Sequence, residues 1–260
     1  MKDERDGASQ PRVCFRVDLT SNRLVFAPNL GWEKVDLKSP LEKATGLAVQ
    51  LENAANACVL AELWSGCHAE EIRNLIVVTV SEGIGVGMVL NGQLVRGPTG
   101  IAGEFGHVTL QEDGLLCNCG NRGCWETCGS NTAAVRYYVE EVTHNRFRKT
   151  PTLALTFDDI LNLAAQGDVR AGEALDRMGH YLGAGLAMLI TGLAPEVVVV
   201  VGRVTKAWDR IGPIVNQVVK QRQSTHVSTR IIPTDPETDP RLRGTIALVL
   251  QKYFSAPPVA

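Results

Sequence analysis

Several things are missing from this 260-residue chain, and each absence removes a class of protein. No basic, apolar, small-residue leader opens it, and no uninterrupted apolar stretch reaches the roughly 20 residues that span a bilayer. The longest candidate, GHYLGAGLAMLITGLAPEVVVVVG, is broken by Gly192 and Pro195 and reads as a buried helix followed by a buried strand. A cytoplasmic protein without a membrane partner is the expectation. There is no excess of positive charge either. A formal charge of −2 gives this chain no electrostatic reason to bind nucleic acid by itself. A paired disulfide framework is also lacking, because the seven cysteines are odd in number and three fall within residues 117–124. Cys14, Cys58, Cys67 and Cys128 are scattered and read as reduced thiols. Short-period repeats and low-complexity segments are absent as well.

What the chain does hold is a concentrated ligand set. His107, Cys117, Cys119 and Cys124 form the pattern His-x9-Cys-x-Cys-x4-Cys within GEFGHVTLQEDGLLCNCGNRGCWE. One imidazole and three thiolates suit a closed, tetrahedral, structural Zn2+ site, with spacing unlike that of a DNA-reading finger. Gly120 and Gly123 allow the tight turns that bring the sulfurs to one metal. The alternative is a set of buried thiols that pack as small apolar groups.

The remaining pattern is that of a mixed α/β chain. Residues 1–12 are polar, charged and aperiodic, and read as a frayed end. Two short extended pieces flank a turn at Thr20 to Asn22, closed by Pro28. Pro40 opens a short helix ended by Gly46, and LAVQLEN reads as a strand. ANACVLAELWSG is a small-residue helix stopping at Gly66. NLIVVTV, GIGVGMVL and NGQLVRG follow as strands, the last entered through the hairpin signal Asn91-Gly92. Beyond the cysteines come the helices NTAAVRYYVEEV, TFDDILNLAAQG with Thr156 as N-cap, and the long Gly- and Ala-rich DVRAGEALDRMGHYLGAGLAMLITGL. That last helix suits close packing in a core or a subunit contact. EVVVVVG and TRIIPT are strands, and KAWDRIGPIVNQVVKQR and LRGTIALVLQKYF are helices.

The run GIGVGMVLNGQLVRGPTGIAGEFGHVTL followed by CNCGNRGCWE resembles the ROK family of bacterial sugar kinases and sugar-responsive repressors. The likeness extends over residues 17 to 254, through APNLGW, LENAANACVLAE and the strand before Gly202. It implies an actin and ribonuclease-H-like fold of two lobes around a ligand cleft. Residues 13–72 would then be an incomplete N-terminal lobe and 73–260 a C-terminal lobe with the zinc loop, the closing helix 242–254 packing back on the former. It also implies that Asn53, Glu104, His107 and Glu126 bind sugar hydroxyls, with His107 giving one ring nitrogen to zinc and turning the other to the sugar. Read singly, Glu104 and Glu126 would be solvated carboxylates, and Asn53 would cap the helix after it. Gly83, Gly85 and Gly87 resemble a vestigial phosphate loop, or serve a turn or close packing. Trp125 reads as a packing residue.

Three departures separate the chain from the family's kinases. The aspartate that follows the asparagine in kinases, and takes the proton of the attacking hydroxyl, is Ala54 here. Ser81-Glu82-Gly83 puts a carboxylate where a small residue and threonine usually precede the glycines, which disfavours ATP and Mg2+. No Asp-Gly-Gly-Thr turn occurs before Val17, and no helix-turn-helix precedes it. The expectation is the sugar-binding effector domain of a ROK-type regulator without catalysis, a homodimer or tetramer, reaching DNA only through a segment not in this sequence. An ATP-dependent, glucokinase-like hexose kinase and a non-functional truncated remnant are the alternatives.

Overall fold

The computed structural model describes residues 16–18, 23–27, 32–65, 72–98, 100–144, 155–223, 228–235 and 238–254. Residues 1–12, the turn at Thr20 to Asn22, Pro28, Gly66, and the Cys14 and Cys67 thiols lie outside them. The first piece is an antiparallel meander of β1 (Arg16–Asp18), β2 (Arg23–Ala27) and β3 (Trp32–Val35). Two of these strands answer the two extended pieces expected from sequence. The third is new, because WEKV carries no alternation that would mark it. Helix α1 (Lys38–Thr45) ends on Gly46 in the left-handed conformation, as the Gly stop implies.

LAVQLEN is not a strand. Its backbone groups are taken by side chains instead: Val49 N–H donates to Glu42 Oε1 and Asn53 N–H to Glu52 Oε1. With those donors engaged locally, the segment runs as an irregular lead-in to α2 (Ala54–Ser65).

A second sheet carries the rest of the chain. Its strands are β4 (Leu75–Val80), β5 (Ile84–Leu90), β6 (Gln93–Leu94), β7 (Val197–Val201) and β8 (Arg230–Pro233), in the order β6-β5-β4-β7-β8. The first three form an antiparallel meander, and β4, β7 and β8 run parallel. This is the ribonuclease-H-like order. Asn91 and Gly92 both have positive φ, 51° and 76°, as a type I′ hairpin demands. The β6 strand is shorter than NGQLVRG suggests, because after Val95 the chain leaves the sheet.

Unbroken apolar strands mean that both faces of this sheet are covered. On one face Ile76, Val78, Val198 and Val200 pack with Met178, Leu182, Leu186 and Ile190 of α6 (Val169–Leu193) and with Ile211 and Val215 of α7 (Trp208–Arg222). On the other, Leu75, Val77, Val197 and Val199 meet Cys58 and Val59 of α2. The closing helix α8 (Pro240–Phe254) lies on α2 through Ala247 and Leu248 against Ala57 and Leu60. Helices α3 (Trp125–Gly129), α4 (Asn131–His144) and α5 (Phe157–Ala165) complete the α6 side. Two glycines of α6 serve this core: Gly183 meets Val215 and Val218 of α7, and Gly185 has Trp125 against it.

Candidate metal and ligand site

The site begins where the sequence turns most sharply. After β6 a 3-10 turn, Glu104–His107, leads into the cysteine loop. Gly123 has φ 61° and Gln111 O lies where its side chain would be, so only glycine closes this loop. Thr109 bridges to Cys124, and Leu116 to Arg122.

These turns bring His107, Cys117, Cys119 and Cys124 together, with one ligand atom of each within 4.8 Å of all the others. His107 Nδ1 is 3.6 Å from Cys117 Sγ, and Cys119 Sγ is 3.5 Å from Cys124 Sγ. The edge of a tetrahedron built on Zn–S bonds of about 2.3 Å is about 3.7 Å, so the spacing fits the ion. The electrostatics fit too. Burial pushes the Cys124 thiol up to about 12, and burial with Glu126 beside it pushes Cys117 up as well. Thiols so placed keep their protons at neutral pH, and a divalent cation supplies the positive charge that releases them. The cluster can hold a metal ion whose chemistry, with four protein ligands, is structural.

Around it sit the two carboxylates. Glu104 Oε2 is 3.7 Å from His107 Nε2, and Glu126 Oε1 is 3.5 Å from His107 Nδ1 and accepts from Cys117 Sγ at 3.1 Å. The imidazole therefore turns Nδ1 to the thiols and Nε2 to Glu104. Glu126 is held in place by its neighbour. Trp125, fully buried, lies flat on α6 at Gly185 and donates Nε1–H to Tyr181 O at 3.0 Å. It is a packing residue, as expected.

Asn53 lies at the start of α2. Its Oδ1 accepts from Ala55 N–H at 2.8 Å, capping α2 as one of its two sequence readings requires. Strand β5 ties this helix end to the rest. At Gly87 the backbone of Ala55 approaches so closely that a side chain is impossible, and Ile84 O and Val86 O press in the same way on Gly106 and Gly103 of the Glu104 turn. Gly83, Gly85 and Gly87 all stand where a side chain would meet a neighbour, Glu126 Oε2, Thr79 Oγ1 and the Ala55 backbone respectively, so close packing accounts for them without deciding on a phosphate loop. The structure brings Glu104 and Glu126 each to His107 and sets Asn53 at the helix end whose first turn, at Ala55, lies against β5. Ala54, exposed, follows it at the start of α2.

Two residues that sequence reasoning did not single out are bound into this region. The Glu52 side chain is 2% exposed and takes an ion pair of 2.8 Å from Arg96 Nη2. The one available signal was a charge on each side of apolar runs, in LEN and LVRG. Among the described residues no helix is long and apolar enough to cross a membrane.

The comparisons agree with this geometry. The ROK family model matches residues 14–252. A glucokinase of Halalkalibacterium halodurans is 36% identical over 204 residues, which is 75% of this chain and 61% of that protein. The xylose repressor of Bacillus subtilis is 37% identical over 177 residues, 68% of this chain and 43% of the repressor. The chain thus spans about three fifths or less of these curated relatives. A ROK family glucokinase from Streptomyces griseus, solved with glucose and AMPPNP, superposes with a TM-score of 0.76 at 29% identity, covering 87% of this chain and 76% of that one. Kinases and repressors both stand among the relatives, and the chain belongs to the ROK family.

Proposed function

We propose that this chain is the sugar-sensing part of a ROK-type transcriptional regulator, binding a hexose or pentose through Asn53, Glu104, His107 and Glu126 without phosphorylating it. The observation that carries this reading is Ala54. A methyl group stands beside Asn53 at the exposed start of α2, where a kinase needs a carboxylate to take the sugar's proton. Asn56, the nearest amide, is buried and donates to Glu52, so it is no base either. Exposed Glu82 in the β4–β5 turn adds a solvent-screened repulsion toward a nucleotide phosphate.

Zinc shapes the sugar site in this reading and takes no part in a reaction. His107 couples the two, its Nδ1 toward the thiols and Nε2 toward Glu104. Residues 13–72 and 73–260 are read as the two lobe segments, between which a sugar would bind, and assembly as a dimer or tetramer belongs to the same reading. DNA contact would come from a segment outside this sequence, and sugar binding would shift its arrangement.

The kinase reading rests on a specific observation of its own, the 36% identity to a glucokinase. Incubation with glucose, mannose, N-acetylglucosamine or xylose plus ATP and Mg2+ separates the two. We expect no ADP release above the sugar-free rate. Robust turnover lost in Glu104→Ala would overturn the sensor reading in favour of a kinase.

A further inference from the structure

The side-chain network behind Asn53 has no place in the sugar contacts just described. Glu52 Oε1 accepts from its neighbour Asn53 N–H at 3.0 Å and from Asn56 Nδ2–H at 2.9 Å, while Oε2 accepts from Arg96 Nε–H at 2.9 Å and pairs with Nη2 at 2.8 Å. Four donors on one buried carboxylate satisfy it fully. The partners come from two separate segments of the chain. Asn53 and Asn56 belong to the start of α2. Arg96 begins the loop that leads to Glu104, and Arg96 O closes that loop by accepting from Ala102 N–H at 3.1 Å.

With its carboxylate 2% and its guanidinium side chain 32% exposed, this ion pair is a poor source of net stability, because desolvation of Glu52 offsets much of a partly screened attraction. What a carboxylate held by four donors does supply is fixed geometry. Here it fixes the separation between the backbone of Asn53 and the loop carrying Glu104. Arg96 also explains why β6 ends early: the chain leaves the sheet where the guanidinium turns to Glu52.

Resting on the sugar-sensing reading, we infer that Glu52 and Arg96 are positioning residues, a clamp that sets the distance between Asn53 and Glu104 so that both reach one sugar. Neither touches the ligand. Removing Arg96 alone leaves a buried, uncompensated carboxylate, so Arg96→Met lowers both stability and affinity. Removing both charges separates the two effects. Glu52→Gln with Arg96→Met restores an uncharged, packed interior and with it the melting temperature, yet the fork that fixed the loop is gone.

The test is calorimetric titration of glucose and xylose into the zinc-loaded wild type, Arg96→Met and the double variant, with melting temperature and zinc content measured on each. The expected result is a double variant that regains most of the melting temperature lost in Arg96→Met, keeps its zinc, and still binds the sugar about tenfold more weakly than wild type. Affinity recovering together with melting temperature would overturn the clamp and leave the pair a stabilising contact, with the sensing reading intact. Unchanged affinity in Arg96→Met would overturn it as well. Wild type that binds neither sugar would overturn the clamp by removing the reading beneath it. If Arg96→Met does not fold, the double variant against wild type still decides the matter.

Discussion

Single residues set the limits of this site. Gly185 shows how a position with no side chain places a neighbour's, since its backbone is the surface on which Trp125 lies, next to Glu126. Two effects oppose each other in Gly185→Ala. Helix propensity favours alanine by about 1 kcal/mol, while forcing a methyl group into a packed indole costs about 1–3 kcal/mol and a ring that cannot move pushes the cost upward. Overpacking wins, and we expect a lower melting temperature together with weaker sugar binding as Trp125 drags Glu126 with it. A variant as stable as wild type would mean that the indole has room. At this scale the sequence was legible where chemistry is local. The His and Cys ligands declared themselves by spacing. Glu52 and Arg96 did not, because a contact between residues 44 positions apart leaves no local pattern.

Elements were legible where their periodicity or punctuation is strong. β7, all valine, and the hairpin at Asn91-Gly92 could be read directly, as could α5 with its cap. LAVQLEN misled because alternation describes a strand only if another strand offers partners, and here Glu42 and Glu52 take the amides first. The short α3 and the 3-10 turn at Glu104 are held by the cysteine loop and by β5 rather than by their own propensity, so nothing in their composition marks them.

The α5 cap allows a prediction at its own scale. Asp159 accepts from Thr156 N–H at 2.8 Å and Oγ1–H at 2.7 Å, and these bonds hold its carboxyl below the ordinary value. A folded-state pKa that is depressed gives stability fully present above the unfolded carboxyl value and lost as pH falls through the folded one. Thermal melts of wild type and Asp159→Ala are expected to differ at neutral pH and to converge in acid. A gap that persists unchanged below the carboxylate range would contradict the capping box as its source.

At the scale of the whole molecule, one sheet organises everything. Its α6 face carries the large core and, through Trp125, the acidic side of the site. Its other face carries α2, whose start is capped by Asn53 and followed by the exposed Ala54. Strand β5 touches both the α2 end and the Glu104 turn, so the cysteine loop and Asn53 are held to a common reference. The hairpin and buried strands made a mixed α/β sheet legible, while the ribonuclease-H-like order was an expectation carried by the resemblance to the ROK family and is the order observed. The separation of Asn53 from Glu104 was not legible, because it depends on how two loops and a helix end meet.

The most direct measurement is the melting temperature of the zinc-loaded chain with and without glucose, xylose, mannose or N-acetylglucosamine. A ligand at a hundred times its Kd adds about 2.7 kcal/mol to the folded state. The expected result is a clear upward shift with at least one of these sugars, abolished in Glu126→Gln and unaccompanied by ATP consumption. No shift with any sugar in a cooperatively melting, zinc-containing protein would contradict the account.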